Sequence, residues 1–203
     1  MLRIAVGLIL LASPALATPE YVFPSHWDVA GVAADDVLNI RAEPDARADI
    51  IGTLPPDART VEVVDQTRNW LKINSRERSG WVAARYMTHQ TGVWQPDAVP
   101  PGFSCYGTEP FWSARVDGGD LVISTPDIPE TRHAVQAIAG GDLYHDLTRA
   151  VLADGATLVS TQGQCSDGMS DRDMALRATL IQHGPQPAIM TGCCTIQDLS
   201  QLD

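Results

Sequence analysis

The sequence predicts an all-β protein built from two small domains. Segments of four to seven residues with alternating apolar side chains recur between turn signals, and no helical period is sustained over a dozen residues. The pattern breaks at residues 89–103, HQTGVWQPDAVPPGF, where three prolines and two glycines predict a linker. We therefore expect an N-terminal small barrel and, over residues 104–203, a disulfide-containing antiparallel β-barrel or sandwich.

The first 17 residues have the features of a secretory signal peptide. Arg3 precedes the apolar run IAVGLILLA, and Ala15-Leu16-Ala17 predicts cleavage after Ala17. We expect a periplasmic or secreted protein that begins with an N-terminal segment at 18–28. The first cysteine is Cys105, so we do not expect a lipoprotein. No later apolar run reaches 18 residues, and we expect no membrane span.

The charge balance argues against nucleic acid as a partner. The chain has 25 acidic and 14 basic side chains, a net charge of −11, and loss of Arg3 with the leader makes it more negative. Such a surface repels phosphate backbones. It would favour cationic ligands, although an acidic surface is most often a means of staying soluble.

Residues 29–88 have the alternation of a half-buried β-sheet. Side chains at every second position are apolar, which predicts that one face of each strand is buried. Gly80 is expected to provide a turn conformation. The positions expected in the core are Leu38, Ile40, Ile51, Val61, Val63, Leu71, Ile73 and Val82.

These strands resemble the bacterial SH3-like (SH3b) family. The matching segments are Leu38-Asn39-Ile40-Arg41 with Pro44, Ile51-Gly52-Thr53-Leu54, Val61-Glu62-Val63, Trp70-Leu71-Lys72-Ile73, and Gly80-Trp81-Val82 with Tyr86. Asp45 stands where the family usually has a glycine. The resemblance implies a groove with aromatic walls that accepts cell-wall stem peptides or other extended peptides, with candidate ligand-binding residues Asn39, Arg41, Trp70, Trp81 and Tyr86. Each aromatic can equally belong to the core, and we favour the core for Trp70.

The second domain is expected to contain seven strands. Turns are expected at Asp117-Gly118-Gly119-Asp120 and at Asp154-Gly155. The strand segments are FWSARV, DLVIST, HAVQAI, LYHDLTRA, TLVSTQGQC, MALRATLIQ and AIMTGCCTI. Across residues 102–197 the motifs CYGTEPFW, CSDGMSD and GCC resemble an envelope-protein family of unassigned function. More loosely, the domain is similar to META-type and lysozyme-inhibitor small barrels.

Four cysteines in an exported chain predict disulfides. Cys193 and Cys194 are neighbours in an expected strand, so their side chains point to opposite faces and need different partners. Of the three possible connectivities, we prefer Cys165 with Cys193 and Cys105 with Cys194. A thiol enzyme would need a free cysteine beside a histidine, and the sequence contains no recognisable motif of that kind.

The segment CSDGMSDRD offers Asp167, Asp171 and Asp173 as oxygen donors. Their spacing does not follow the calcium loop of an EF-hand. We favour a solvated turn in which Asp and Ser cap their own backbone. We expect no metal and no cofactor.

Glu109 has two interpretations. Against Phe111 and Trp112 its pKa could rise enough for general acid catalysis, with Asp167 or Asp171 as the second carboxylate. We favour the structural alternative, in which Glu109 accepts backbone hydrogen bonds or pairs with Arg172 while Trp112 fills the core.

The sequence thus favours a non-catalytic envelope protein that binds cell-wall peptide or a protein partner. An inhibitor of a lysozyme-like, wall-degrading enzyme is the alternative, because acidic exported barrels can dock on cationic targets. A carboxylate-dependent glycan hydrolase is the third possibility.

Overall fold

The structure is a computed structural model that describes residues 21–143 and 145–197. The signal peptide expected at 1–17 lies outside the described residues. Within these described residues, fifteen strands form two antiparallel sheets, and one 3₁₀ helix, Ala84–Tyr86, lies between β6 (Arg78–Ala83) and β7 (Met87–His89). The all-β prediction with disulfides is confirmed.

The N-terminal sheet has seven strands in the order β3-β2-β6-β5-β4-β1-β7. Ser25–Val29 pairs with both β4 and β7, and so belongs to this sheet. The strands are β1 (Ser25–Val29), β2 (Leu38–Arg41), β3 (Ile50–Leu54), β4 (Val61–Thr67), β5 (Trp70–Ser75), β6 (Arg78–Ala83) and β7 (Met87–His89).

The core of this sheet contains the predicted alternating side chains. All eight are buried except Ile51, which is partly buried and packs against them. The expectation for Gly80 was wrong, because this residue lies inside β6 with no turn conformation. A Cβ at Gly80 would stand 2.5 Å from Ile40 Cγ2 and 2.8 Å from Ile51 Cδ1, so glycine is needed for close packing.

The C-terminal sheet is a closed eight-stranded barrel in the order β10-β11-β12-β13-β14-β15-β8-β9. Closure leaves no free sheet edge in this barrel. Its strands are β8 (Ser104–Thr108), β9 (Phe111–Asp117), β10 (Asp120–Ser124), β11 (Thr131–Gly140), β12 (Arg149–Ala153), β13 (Ala156–Cys165), β14 (Met174–Gln182) and β15 (Ala188–Thr195).

Two features of the barrel differ from the expected strands. The eighth strand, β8, begins the CYGTEPFW motif and closes the barrel between β15 and β9. In the segment LYHDLTRA, residues 145–148 precede the strand, because β12 begins only at Arg149. Both expected hairpin turns are present, and Gly118, Gly119 and Gly155 have positive φ angles.

Both disulfides of the preferred pairing are present. Cys105 bonds to Cys194 inside the barrel and Cys165 bonds to Cys193 on its outer side. No cysteine in the described chain is free. Two disulfides are consistent with an extracytoplasmic location. No helix among the described residues is long and apolar enough to span a membrane.

Candidate functional site

The main candidate site is a groove on the outer face of β2, β6 and β5. Arg41 pairs with Trp81 across β2 and β6, and Trp70 pairs with Ala83 across β5 and β6. Because side chains alternate along a strand, Asn39 shares the outward face with Arg41. Ala83 has a small side chain, which leaves a depression in the outer surface of the sheet beside Trp70.

The rest of the groove comes from two connecting segments. The loop before β2 contributes Val32, Asp36 and Val37, and the 3₁₀ helix contributes Arg85 and Tyr86. The groove has a volume of about 440 Å³. It joins apolar and aromatic surface to a few polar groups, which is the usual composition of a ligand site.

Trp70 corrects one expectation. The core was favoured for this side chain, but it is only partly buried and lines the groove. Trp70 is the first residue of β5, and Leu71 and Ile73 occupy the inward positions of that strand. The alternation therefore directs Trp70 outward.

Of the five N-terminal candidates, four line the groove together: Asn39, Arg41, Trp70 and Tyr86. Trp81 does not line it, although it lies on the same face of the sheet. Lys72 Nζ is 5.2 Å from the centre of the Trp81 ring, and Lys72 also forms an ion pair with Asp173 of the barrel.

Sequence reasoning missed Asp36, Val37 and Arg85 in this site. Arg85 precedes Tyr86 directly, and its guanidinium lies 4.7 Å from the centre of the Tyr86 ring. Because Arg85 is next to a predicted groove residue in the sequence, it could have been predicted to line the groove. Asp36 and Val37 belong to a loop whose path the sequence pattern does not define.

A second groove, of about 490 Å³, lies on the outer face of the barrel. It is bordered by Glu109, Asp167, Arg177 and the Cys165–Cys193 disulfide. The CYGTEPFW and CSDGMSD motifs meet in this groove, since Thr108 Oγ1 donates to the carbonyl of Asp167 at 2.9 Å.

Much of the CYGTEPFW motif has a structural role. Trp112 is 3% exposed in the barrel core and donates from Nε1 to the carbonyl of Thr191 at 3.2 Å. A Cβ at Gly107 would stand 2.3 Å from Trp112 Nε1, and one at Gly192 would stand 2.1 Å from the Tyr106 carbonyl oxygen. These glycines allow β8 and β15 to approach closely around the tryptophan.

The structure gives Glu109 neither of its favoured partners. The side chain of Glu109 is exposed and forms no hydrogen bond or ion pair with the described residues. Arg172 does not pair with it, and the Nε and Nη2 atoms of Arg172 are buried. Glu109 follows the end of β8 and precedes Pro110, in the turn between β8 and β9. The favoured interpretation of Glu109 was therefore wrong.

Asp167 caps its own turn, as expected. Its Oδ1 accepts hydrogen bonds from the backbone amides of Met169 and Ser170 and from the Ser170 hydroxyl. Partial burial would raise the pKa of Asp167, but these hydrogen bonds and the charge of Arg172 outweigh it and lower the pKa. Asp167 is thus held as an anion, the form unsuited to a general acid.

The rest of the CSDGMSDRD segment contacts the N-terminal sheet. The backbone amide of Asp171 donates to Glu77 O at 2.8 Å, and Ser79 N donates to Asp171 O at 3.0 Å. Asn74 Nδ2 donates to Asp173 O at 2.8 Å. Among the described residues, no three His, Cys, Asp or Glu side chains are grouped as a metal site would require.

A buried polar contact also joins the two sheets. Glu62 on β4 is 1% exposed and accepts hydrogen bonds from Thr195 Oγ1 and, at 2.9 Å, from Ile196 N. Its backbone amide donates to Gln197 Oε1, and His26 Nε2 contacts Ile196 O at 2.8 Å. The end of β15 therefore lies against β1 and β4, and the groove is fixed relative to the barrel.

Comparison with known families found one match, in the N-terminal sheet. Residues 36–88 match the family model for the bacterial SH3 domain. The match runs from the loop before β2 to Thr88 within β7 and includes most of the groove residues. No curated protein and no solved structure matches the chain. The bacterial SH3 domain is a family of binding modules, which is compatible with a groove for a peptide or protein partner.

Proposed function

We propose that the chain is an exported, non-catalytic binding protein of the cell envelope, and that the SH3 groove holds an extended cell-wall peptide. The observation that supports this most directly is the meeting of Asn39, Arg41, Trp70 and Tyr86 in one groove. These residues come from β2, β5 and the 3₁₀ helix, which are far apart in sequence.

The chemistry of the groove suits a peptide. Trp70 and Tyr86 offer aromatic surface on which aliphatic side chains or planar peptide groups can pack. The side-chain amide of Asn39 can donate to a carbonyl and accept from an amide of a peptide backbone. A groove of about 440 Å³ accommodates a few residues of such a chain.

The test is retention of the protein by purified, insoluble peptidoglycan at physiological salt. We expect the wild type to sediment with the polymer, Trp70→Ala to lose most of this retention, and Phe111→Ala to keep it. Phe111 is a matched control because it is an aromatic residue, 52% exposed, on β9 of the C-terminal barrel. Failure of the wild type to bind would refute the proposal.

Three further assays separate the alternatives. A protein partner would be indicated if peptidoglycan retained nothing while an envelope extract yielded one partner whose capture Trp70→Ala abolished. Inhibition of lysozyme by the purified protein would support the inhibitor instead. Release of muropeptides that depended on Glu109 would support the hydrolase.

A further inference from the structure

We infer that the SH3 groove selects peptides with free carboxylates, through Arg41 and Arg85. This inference rests on the proposed function and specifies the ligand of the same groove. It predicts that the charge state of the peptide, as well as its shape, decides binding.

The groove is cationic although the chain is acidic. The whole chain carries a net charge of −11, but the charged side chains that line the groove are Arg41, Arg85 and Asp36. Two cations therefore face one anion. A ligand carboxylate is attracted here, whereas most of the surface repels it.

Neither groove arginine is neutralised within the described part of the chain. The ion pairs of the structure engage other cations, namely Arg59, Lys72, Arg115 and Arg132. With 25 acidic side chains available, the sequence could have supplied a partner for each groove arginine. Because Arg41 and Arg85 have no acidic partner among the described residues, their N–H groups are available to a ligand.

Arg41 is held in place without being saturated. Its Nη1 donates to the backbone carbonyl of Ala48 at 2.7 Å, which fixes the guanidinium against the turn between β2 and β3. A guanidinium has five N–H donors in a rigid fork, so most of them remain for a carboxylate. Such preorganisation lowers the entropy cost of binding.

Arg85 is positioned by the ring beside it. Its guanidinium lies over Tyr86, 4.7 Å from the ring centre, and Nη2 is 3.4 Å from the Tyr86 hydroxyl. The contact with the hydroxyl uses one N–H group of this exposed side chain, and a guanidinium has five. The others can form paired hydrogen bonds with a carboxylate.

Asp36 restricts where the carboxylate can bind. It also lines the groove, and its Oδ1 accepts from the amide of Val37 at 2.8 Å. A peptide with carboxylates along its whole length would be repelled by this side chain. The groove therefore suits a peptide whose carboxylates lie against the arginines while a neutral or cationic part lies against Asp36.

The experiment compares two forms of one ligand on the full chain. The probes are a synthetic stem peptide with free carboxylates and the same peptide with every carboxylate amidated, each titrated into the protein while tryptophan fluorescence or heat is measured. We expect amidation to weaken binding at least about fivefold, as for the loss of a charge-assisted hydrogen bond.

The variants assign the effect to the groove. Arg85→Gln is chosen because Arg85 is exposed and its guanidinium donates to the hydroxyl of the neighbouring Tyr86, so the fold should be unaffected. We expect it to weaken binding of the free acid and to reduce the difference between the two peptides by at least about twofold, the remaining difference being due to Arg41. Arg76→Gln removes the same charge from the turn between β5 and β6, at the opposite end of β5 from Trp70, and should leave both affinities unchanged.

The failures are distinguishable. If both peptides bind equally well to the wild type, or the amidated one binds more tightly, the inference is wrong while the proposed function stands. An unchanged ratio in Arg85→Gln also overturns the inference. If neither peptide binds and peptidoglycan retains no protein, the proposed function itself fails.

Discussion

Glu62 provides a sharp test of how the two sheets are joined. Its carboxylate, buried between them, accepts from Thr195 Oγ1 and Ile196 N. Glu62→Ala removes both acceptors, whereas Glu62→Gln keeps the shape. In the glutamine variant Oε1 can still accept from Ile196 N, and the Thr195 hydroxyl can rotate to accept from the new amide.

The two substitutions differ in expected cost. Glu62→Ala leaves two buried donors without a partner, and each such donor costs about 1–3 kcal/mol, so we expect about 2–6 kcal/mol of lost stability. Glu62→Gln should cost about 1 kcal/mol or less near neutral pH. Since the lost contacts cross between the sheets, the alanine variant should also unfold in two steps where the wild type unfolds in one.

The pH dependence has an unusual sign. Burial raises the pKa of Glu62 above its ordinary 4.5, although the hydrogen bonds from Thr195 and Ile196 and the charge of Arg172 oppose the shift. Between 4.5 and the raised pKa, the folded state binds a proton that the unfolded state does not. This contribution to stability is therefore lost as the pH rises through that window.

Other groups change the stability with pH in the opposite direction. The contribution of Glu62 is therefore obtained from the difference in stability between the wild type and a variant. The lowered pKa values of His26, Asp28 and Asp167 all make the protein lose stability on acidification. Glu62→Gln does not titrate and leaves these groups in place. Subtracting its stability curve from that of the wild type isolates Glu62.

The assay is urea unfolding of the wild type and both variants at intervals from pH 4 to pH 8, with calorimetry at neutral pH. We expect Glu62→Gln to gain stability relative to the wild type as the pH rises above 4.5. A constant difference across the range, or a cost below about 0.5 kcal/mol for Glu62→Ala, would refute this account of the interface.

Three further predictions concern stability. Gly107→Ala should cost about 2–3 kcal/mol in thermal unfolding, because its Cβ would stand 2.3 Å from Trp112 Nε1; an unchanged melting temperature would contradict this. Trp112→Ala should cost about 3–5 kcal/mol in urea unfolding and Trp70→Ala about 1 kcal/mol or less, since only Trp112 is in the core; equal costs would argue against their different burial. Replacing Cys165 and Cys193 by serine should cost about 3–4 kcal/mol for a span of 28 residues. It should also speed hydrogen exchange of the Asp171 amide, and unchanged exchange would show that the disulfide does not hold this segment.

The sequence predicted most of the framework because strand alternation and cysteine geometry are local. The alternating apolar positions of β2, β4, β5 and β6 are buried, and adjacent Cys193 and Cys194 have different partners. Turn residues also locate hairpins reliably, as at Gly118 and Gly119.

What the sequence missed depends on the contact between the two sheets. Glu62 lies between Val61 and Val63, so alternation places it on the outward face of β4, where a carboxylate is expected in water. It is buried because the end of β15 covers that face. The expected pairing of Arg172 with Glu109 was wrong for the same reason, because no local pattern shows which surface a loop contacts. Groove candidates could be named individually, but their meeting with Asp36 and Arg85 depends on loop paths.

The position of the Cys165–Cys193 disulfide explains how the C-terminal barrel is held against the N-terminal sheet. Residues 166–173 follow Cys165 and bond to the β5–β6 hairpin, while residues 195–197 follow Cys194 and cover β1 and β4. Covalent linkage of Cys165 to Cys193 ties together the starting points of both contact segments. The segments are thereby restrained before they reach the sheet, and less conformational entropy is lost when they dock. Buried charged groups such as Glu62 contribute little net stability but strongly penalise misplacement of their partners, so they define one relative orientation of the two sheets.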